Sequence, residues 1–181
     1  MMEDLSLHIL DIVENAIAAG ATRVAVMVNE NEKRNLLSIR VSDNGRGMSK
    51  KDARRALDPF FTTKGKRTGL GLPLLAQTAE HCNGDAVLTT VLNKGTKVAA
   101  RFRYRHIDRP PLTAMTETIL TLVFGHPEID FRYRHRVNSL VFRFASHGIM
   151  GDRRTAPYLS PAVLRAVKKK LQTGLKRIGR T

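Results

Sequence analysis

The order of helix and strand signals predicts an α/β (α+β) two-layer sandwich, a mixed sheet covered on one face by helices, followed by a small basic α+β extension. Three observations carry this prediction. Apolar residues recur at helical spacing in the first twenty positions, two pairs of β-type runs are separated by helical segments, and basic residues crowd the last eighty positions.

Leu5, Ile9, Ile12, Val13, Ala16 and Ile17 fall at three- and four-residue steps, which predicts an amphipathic helix from Leu5 to Ala19 that Gly20 ends. Arg23 to Val28 and Leu36 to Val41 are β-branched runs joined across the polar stretch Asn29 to Asn35, so they predict two strands. Ser49 can cap a helix running through Leu57 before Pro59 stops it, and residues 58–68 are a polar, glycine-containing loop. A helix over Gly71 to His81 ends at Asn83-Gly84, and strands follow at Ala86 to Val91 and Lys97 to Phe102 around the turn at Asn93 to Gly95. The prolines of HIDRPP predict a linker over 105–112, dividing a domain at 1–104 from the extension at 113–181. In that extension a short helix near Thr113 to Phe124 precedes a hairpin, Ile129 to Val137 and Leu140 to Phe144, turning at Asn138-Ser139. Ser160-Pro161 opens a last helix with Leu164, Val167, Leu171 and Leu175 as its apolar stripe.

At 181 residues, with 42% hydrophobic and 26% charged positions, the chain is long enough for one domain with a core and too short for two enzymatic domains. Cys82 is the single cysteine, which excludes an intrachain disulfide scaffold and favours a reducing compartment. No apolar run reaches the length of a membrane-spanning helix, and Glu3, Asp4, Asp11 and Glu14 stand where a secretory signal would be basic, so the expectation is a cytoplasmic protein without membrane insertion. The net charge of +15 is uneven: residues 1–100 hold 14 Lys and Arg against 11 Asp and Glu, residues 101–181 hold 17 against 5. Such a field favours encounter with nucleic acid, anionic lipid or an acidic protein, without naming which.

The sharpest chemical signal is Asp43-Asn44-Gly45-Arg46-Gly47-Met48 directly after an apolar strand. A carboxylate at a strand end can accept a hydrogen bond from an exocyclic amine such as adenine's, and the glycines let a ring approach the backbone. The same six residues also suit an ordinary tight turn. Thr68-Gly69-Leu70-Gly71-Leu72 opens the next helix, where unpaired N–H groups and the helix dipole favour a phosphate. Neither the Rossmann nor the P-loop spacing occurs.

In this order the motifs resemble those of the Bergerat-fold ATP-binding domain, the GHKL superfamily of gyrase, large heat-shock chaperones, sensor histidine kinases and MutL-type mismatch-repair ATPases. Residues 11–21 look like the N box, DNGRGM like the first glycine box, PFFTTK like the histidine-kinase F box, TGLGL like the second glycine box and Lys94-Gly95-Thr96 like the last, a match over roughly 5–104. The resemblance implies ATP and Mg²⁺ as cofactors. It implies that Asn15 ligates the metal, that Asp43 holds the adenine amine in a pocket shaped by Gly45, Gly47 and Met48, and that Thr96 supports the adenine side. It further implies that Gly69, Leu70 and Gly71 present N–H groups to the phosphates, while Thr63 and Lys64 belong to a lid over 58–70 from which Lys64 reaches the terminal phosphate.

Two departures matter. Asp11 stands four residues before Asn15, where hydrolysing members place a glutamate base and sensor kinases commonly an asparagine. The spacing puts Asp11 and Asn15 on one helix face, with Asp one methylene shorter than Glu. Glu14 is the adjacent alternative, about 100° round the helix and expected to face solvent. Second, no His is followed directly by Asp or Glu and few residues precede the first helix, so phosphoryl transfer is expected only to a separate partner. The full chain, with HIDRPP and IDFRYRHRV, also resembles stand-alone ATP-binding proteins of anaerobic bacteria, some linked with hydrogenase genes. The expected function is a Mg²⁺·ATP-binding regulator, either a slow ATPase or protein-kinase-like phosphotransferase, or a non-catalytic switch that acts on an acidic partner protein through the basic extension; nucleic-acid binding through residues 132–180 ranks last.

Overall fold

Asp4 starts the first helix, α1 (Leu5–Ala18): its Oδ1 accepts from the Ser6 N–H at 2.8 Å, and its Oδ2 accepts from the N–H of Thr113 at 2.9 Å. One carboxylate therefore caps α1 and holds the predicted linker against it, helped by the Leu5 N–H donating to Pro111 O at 2.8 Å. The computed structural model describes residues 4–56, 71–147 and 160–180.

The remaining elements run β1 (Arg23–Asn31), β2 (Leu36–Asp43), α2 (Lys50–Arg55), α3 (Gly71–His81), β3 (Asp85–Val91), β4 (Gly95–Arg103), α4 (Met115–Gly125), β5 (Asp130–Val137), β6 (Leu140–Ala145) and α5 (Pro161–Arg177). Ser49 caps α2 as expected, accepting from the Asp52 N–H, although Leu57 lies outside the described residues. All four described non-glycine residues with positive φ are asparagines, Asn35, Asn83, Asn93 and Asn138, at the turns the sequence marks.

The six strands form one mixed sheet in the order β3-β4-β2-β1-β5-β6, antiparallel except for the parallel pair β1–β5. Its inner face carries Val24, Val26, Val28, Leu37, Ile39, Val41, Val98, Phe102, Phe131 and Tyr133, all buried. Helices α1, α3, α4 and α5 pack on that face with Leu5, Ile9, Leu75, Ile119, Leu171 and Leu175. Each such aliphatic or aromatic side chain taken out of water contributes roughly 1.5–3 kcal/mol before entropy is counted. Gly174 of α5 lies flat on the Phe142 ring, where a Cβ would come within 2.0 Å of a ring carbon.

The stretch beyond residue 112 is not laid beside this sheet but built into it. Arg23 to Glu30 of β1 align with Asp130 to Val137 of β5, so the hairpin β5–β6 extends the same sheet and α4 and α5 share its core. Sequence periodicity finds strands but carries no information on which strand pairs with which, because pairing of distant segments is a tertiary choice. Cys82 is buried in that core. No described helix is long and apolar enough to cross a membrane.

Candidate functional site

The loop after β2 is held in place by its own polar atoms. Asn44 Oδ1 accepts from the N–H groups of Thr22 (3.0 Å) and Arg23 (2.8 Å), and its Nδ2 donates to Thr22 Oγ1. The Arg46 N–H donates to Ala19 O at the end of α1, and the Asn93 N–H donates to Arg46 O from the β3–β4 turn. Gly47 has φ +62°, and a Cβ there would lie 2.1 Å from Val91 O; Gly95 has φ +103°, and a Cβ would lie 2.1 Å from Asp43 O. Only glycine permits both close approaches.

Asp43, at the end of β2, points its carboxylate into the space this loop encloses. Oδ1 accepts from the N–H of Gly45 (2.8 Å) and of Thr96 (3.2 Å), while Oδ2 has no hydrogen-bond partner among the described residues. Burial raises the Asp43 pKa above its ordinary 3.8, with the two N–H bonds opposing part of that rise. Thr90, which sequence reasoning missed, organises the same corner: its Oγ1 accepts from the Met48 N–H (2.9 Å), donates to Gly95 O (3.1 Å) and meets the Thr96 hydroxyl at 3.0 Å. The available signal was a threonine at an inward position of β3 in register with Thr96.

These groups line a cavity of about 340 Å³, walled by Ile12, Ala16, Leu72 and Val98, with Asn15, Asp43, Gly47, Met48 and Thr96 also facing it. Its apolar walls and few convergent polar groups suit a flat, partly polar ligand. Gly71 opens α3 directly against α1: a Cβ there would approach Asp11 Cβ to 2.8 Å. Asp11 thus sits beside the N-terminal end of α3, one turn before Asn15. Its pKa is raised, by burial first and by the neighbouring Glu14 charge second. Glu14 is half-exposed, as its place round the helix implied, and it also meets His126 Nε2 at 3.1 Å, because α4 packs along that side of α1. Of the predicted site residues, Asn15, Asp43, Gly45, Gly47, Met48 and Thr96 gather at the cavity and its loop, and Asp11 and Gly71 lie together at the adjoining helix ends. Thr63, Lys64, Gly69 and Leu70 lie outside the described residues.

Residues 3–106 match the family described as histidine kinase-, DNA gyrase B- and HSP90-like ATPase. The chain belongs to this family. Among its relatives, a DNA mismatch repair protein MutL from a Geobacillus species is 29% identical over 73% of this chain and 27% of its own length. A putative sensor protein of Shewanella frigidimarina is 29% identical over 55% of this chain and 16% of its own. The chain therefore spans about a quarter or less of the length of these relatives. The Aquifex aeolicus MutL ATPase domain complexed with ADP has the same fold, with a TM-score of 0.51 at 18% identity over 78% of this chain and 64% of that one.

Proposed function

We propose that the protein binds Mg²⁺·ATP in the cavity bounded by α1, the Asp43–Met48 loop and β4, and hydrolyses it slowly or passes the phosphoryl group to a separate partner protein. The observation that carries this reading is the division of labour on Asp43. Two backbone N–H groups occupy Oδ1 and orient the carboxylate, leaving Oδ2 as an acceptor for an exocyclic amine in an apolar-walled cavity. Gly45 and Gly47 let the loop that orients Asp43 close tightly on Ala19 and Val91.

The phosphates would then lie toward the N-terminal end of α3, whose first N–H groups have no partners within the helix and whose dipole favours negative charge. Asn15 lines the cavity and would offer its side-chain oxygen as one hard ligand. Among the described residues no group of three His, Cys, Asp or Glu stands close enough to hold a metal unaided. That fits an Mg²⁺ ion carried in by phosphate oxygens and steadied by Asn15, where it would neutralise phosphate charge. Asp11, with a raised pKa beside the start of α3, is placed to accept a proton from water or from a partner's hydroxyl. Lys64, with Thr63, Gly69 and Leu70, is assigned to the phosphate end on sequence grounds.

The test is to incubate wild type and Asp11→Asn with γ-labelled Mg²⁺·ATP, alone and with lysate of the source organism, scoring free phosphate and labelled protein together. Phosphate released by wild type and lost in the variant supports an ATPase with Asp11 as base. Label on a second protein supports a phosphotransferase. ATP binding without either signal removes the catalytic reading and leaves a nucleotide-controlled switch; absence of ATP binding overturns the whole assignment.

A further inference from the structure

The face of the sheet turned away from the helices is covered by no described element, and the strand register concentrates charge on it. The outward strand positions carry nine arginines and lysines against two acids, Asp85 and Asp130. Those two acids are already engaged: Asp130 meets Arg23 and Arg132, and Asp85 meets Arg101. Arg40, Lys97, Arg103, Arg134, Arg136 and Arg143 have no carboxylate partner among the described residues.

Register makes this an array. One rung crosses the sheet as Ala99, Arg40, Met27, Arg134 and Arg143, and the next carries Arg101, Ser38, Asn29 and Arg136. Ala25, Ser38, Ala99 and Ala145 leave a shallow floor between the arginines, part of it a hollow of about 450 Å³ reached by Arg40, Arg101, Arg134 and Arg136. Arg134 stands directly opposite Arg143, a like-charge pair that costs stability unless an anion lies between them. Arg134 Nε is in addition buried without a hydrogen-bond partner among the described residues. A buried guanidinium N–H left unpaired is costly, so Arg134 adds to the strain of the like-charge pair on this face.

We propose that this open face binds the phosphate backbone of duplex nucleic acid without reading its sequence. The chemistry of the face selects that occupant. Protein interfaces centre on apolar and aromatic anchors, and no outward strand position here is aromatic. The lack of aromatics equally removes the stacking platform that single strands use. Eight of the nine cations are arginines, whose planar fork suits phosphate oxygens. Six strands at about 4.8 Å spacing span roughly 24 Å, enough to face a duplex backbone. The site also differs from the one expected in residues 132–180, because Arg40, Lys97 and Arg103 come from strands that precede that stretch.

The test uses the full chain and a fluorescein-labelled duplex DNA of about 25 base pairs, with anisotropy titrations between about 50 and 200 mM salt. Two variants each remove three charges: Arg40→Ala/Arg134→Ala/Arg143→Ala on the sheet, and Lys168→Ala/Lys169→Ala/Lys176→Ala on α5. The sheet variant should lose at least about tenfold in affinity and lower the salt slope by nearly 3, while the α5 variant keeps most of both. Circular dichroism melting shows that each variant is folded. Equal losses in the two variants would mean that net charge alone is being read, and would overturn the proposal. So would absence of duplex binding by wild type, or binding of phosphatidylserine vesicles in preference to the duplex.

Discussion

The Asp43 carboxylate and the Thr96 backbone N–H meet at 3.2 Å, joining the end of β2 to the start of β4 across 53 residues of chain. That bond and the one from Gly45 leave Asp43 oriented by donors that an asparagine could also satisfy through its Oδ1. Asp43→Asn should therefore fold normally yet present an N–H₂ donor to the adenine amine. We expect ATP affinity to fall about 10- to 100-fold, as for a lost charge-assisted hydrogen bond, with little change in melting temperature. Isothermal titration checks it, and an unchanged affinity would remove Asp43 from the nucleotide site. Because Asp43 titrates above 3.8, wild-type affinity should also begin to fall on acidification sooner than an ordinary aspartate would allow.

Gly47→Ala tests the loop rather than the ligand. The added methyl group would meet Val91 O at 2.1 Å in a left-handed backbone, so the loop must move. A loss of about 2 kcal/mol or more in urea unfolding is expected, with nucleotide binding lost in parallel. Gly20→Ala has open space around it and serves as the comparison, limited to the strain of its positive φ.

A buried polar chain fastens the C-terminus to the sheet. The Tyr133 hydroxyl meets His135 Nδ1 at 2.7 Å, His135 Nε2 meets Glu30 Oε1 at 2.7 Å, and Arg180 Nε donates to the same oxygen at 2.7 Å. Burial alone would raise the Glu30 pKa, but the bonds from His135 and Arg180 outweigh it and hold the pKa below 4.5. A depressed carboxylate stabilises the fold above its unfolded pKa and stops doing so as pH falls through the folded value. Glu30→Gln should flatten the loss of stability expected below about pH 4.5. Arg180→Ala, which leaves a buried carboxylate with His135 alone, should cost about 2–3 kcal/mol in chemical denaturation at neutral pH.

His8 predicts a separate acid step. It is fully buried in α1, neither ring nitrogen has a hydrogen-bond partner among the described residues, and burial lowers its pKa from 6.5 to about 4. The unfolded chain takes up the proton near 6.5 and the folded one only near 4, so stability should fall across that window by up to about 3 kcal/mol. His8→Leu should abolish the fall; denaturation midpoints at pH 7 and pH 4.5 that still differ by the wild-type amount would exclude His8 as its source.

Much of this could be read from local pattern. Helical spacing located α1 and α5, a stop at Asn83-Gly84 located the end of α3, β-branched runs and turn residues located the strands, and the glycine-punctuated order of boxes pointed to several residues that line the cavity. These signals are legible because each element's period, cap or turn residue is written within a few positions of itself. The partner of Glu14 was not legible for the opposite reason: its place round α1 follows from helix geometry, but only packing brings His126 to meet it. Thr90 was missed because an inward threonine means nothing until its strand lies beside Thr96. The parallel pairing of β1 with β5 is likewise a tertiary outcome. It turns an apparent appendage into the continuation of the sheet, and it lines up Arg40, Met27, Arg134 and Arg143 in one rung. Local chain physics sets the type of each element, whereas register between segments a hundred residues apart is chosen by which faces can be buried together, and that choice is made only in the folded molecule.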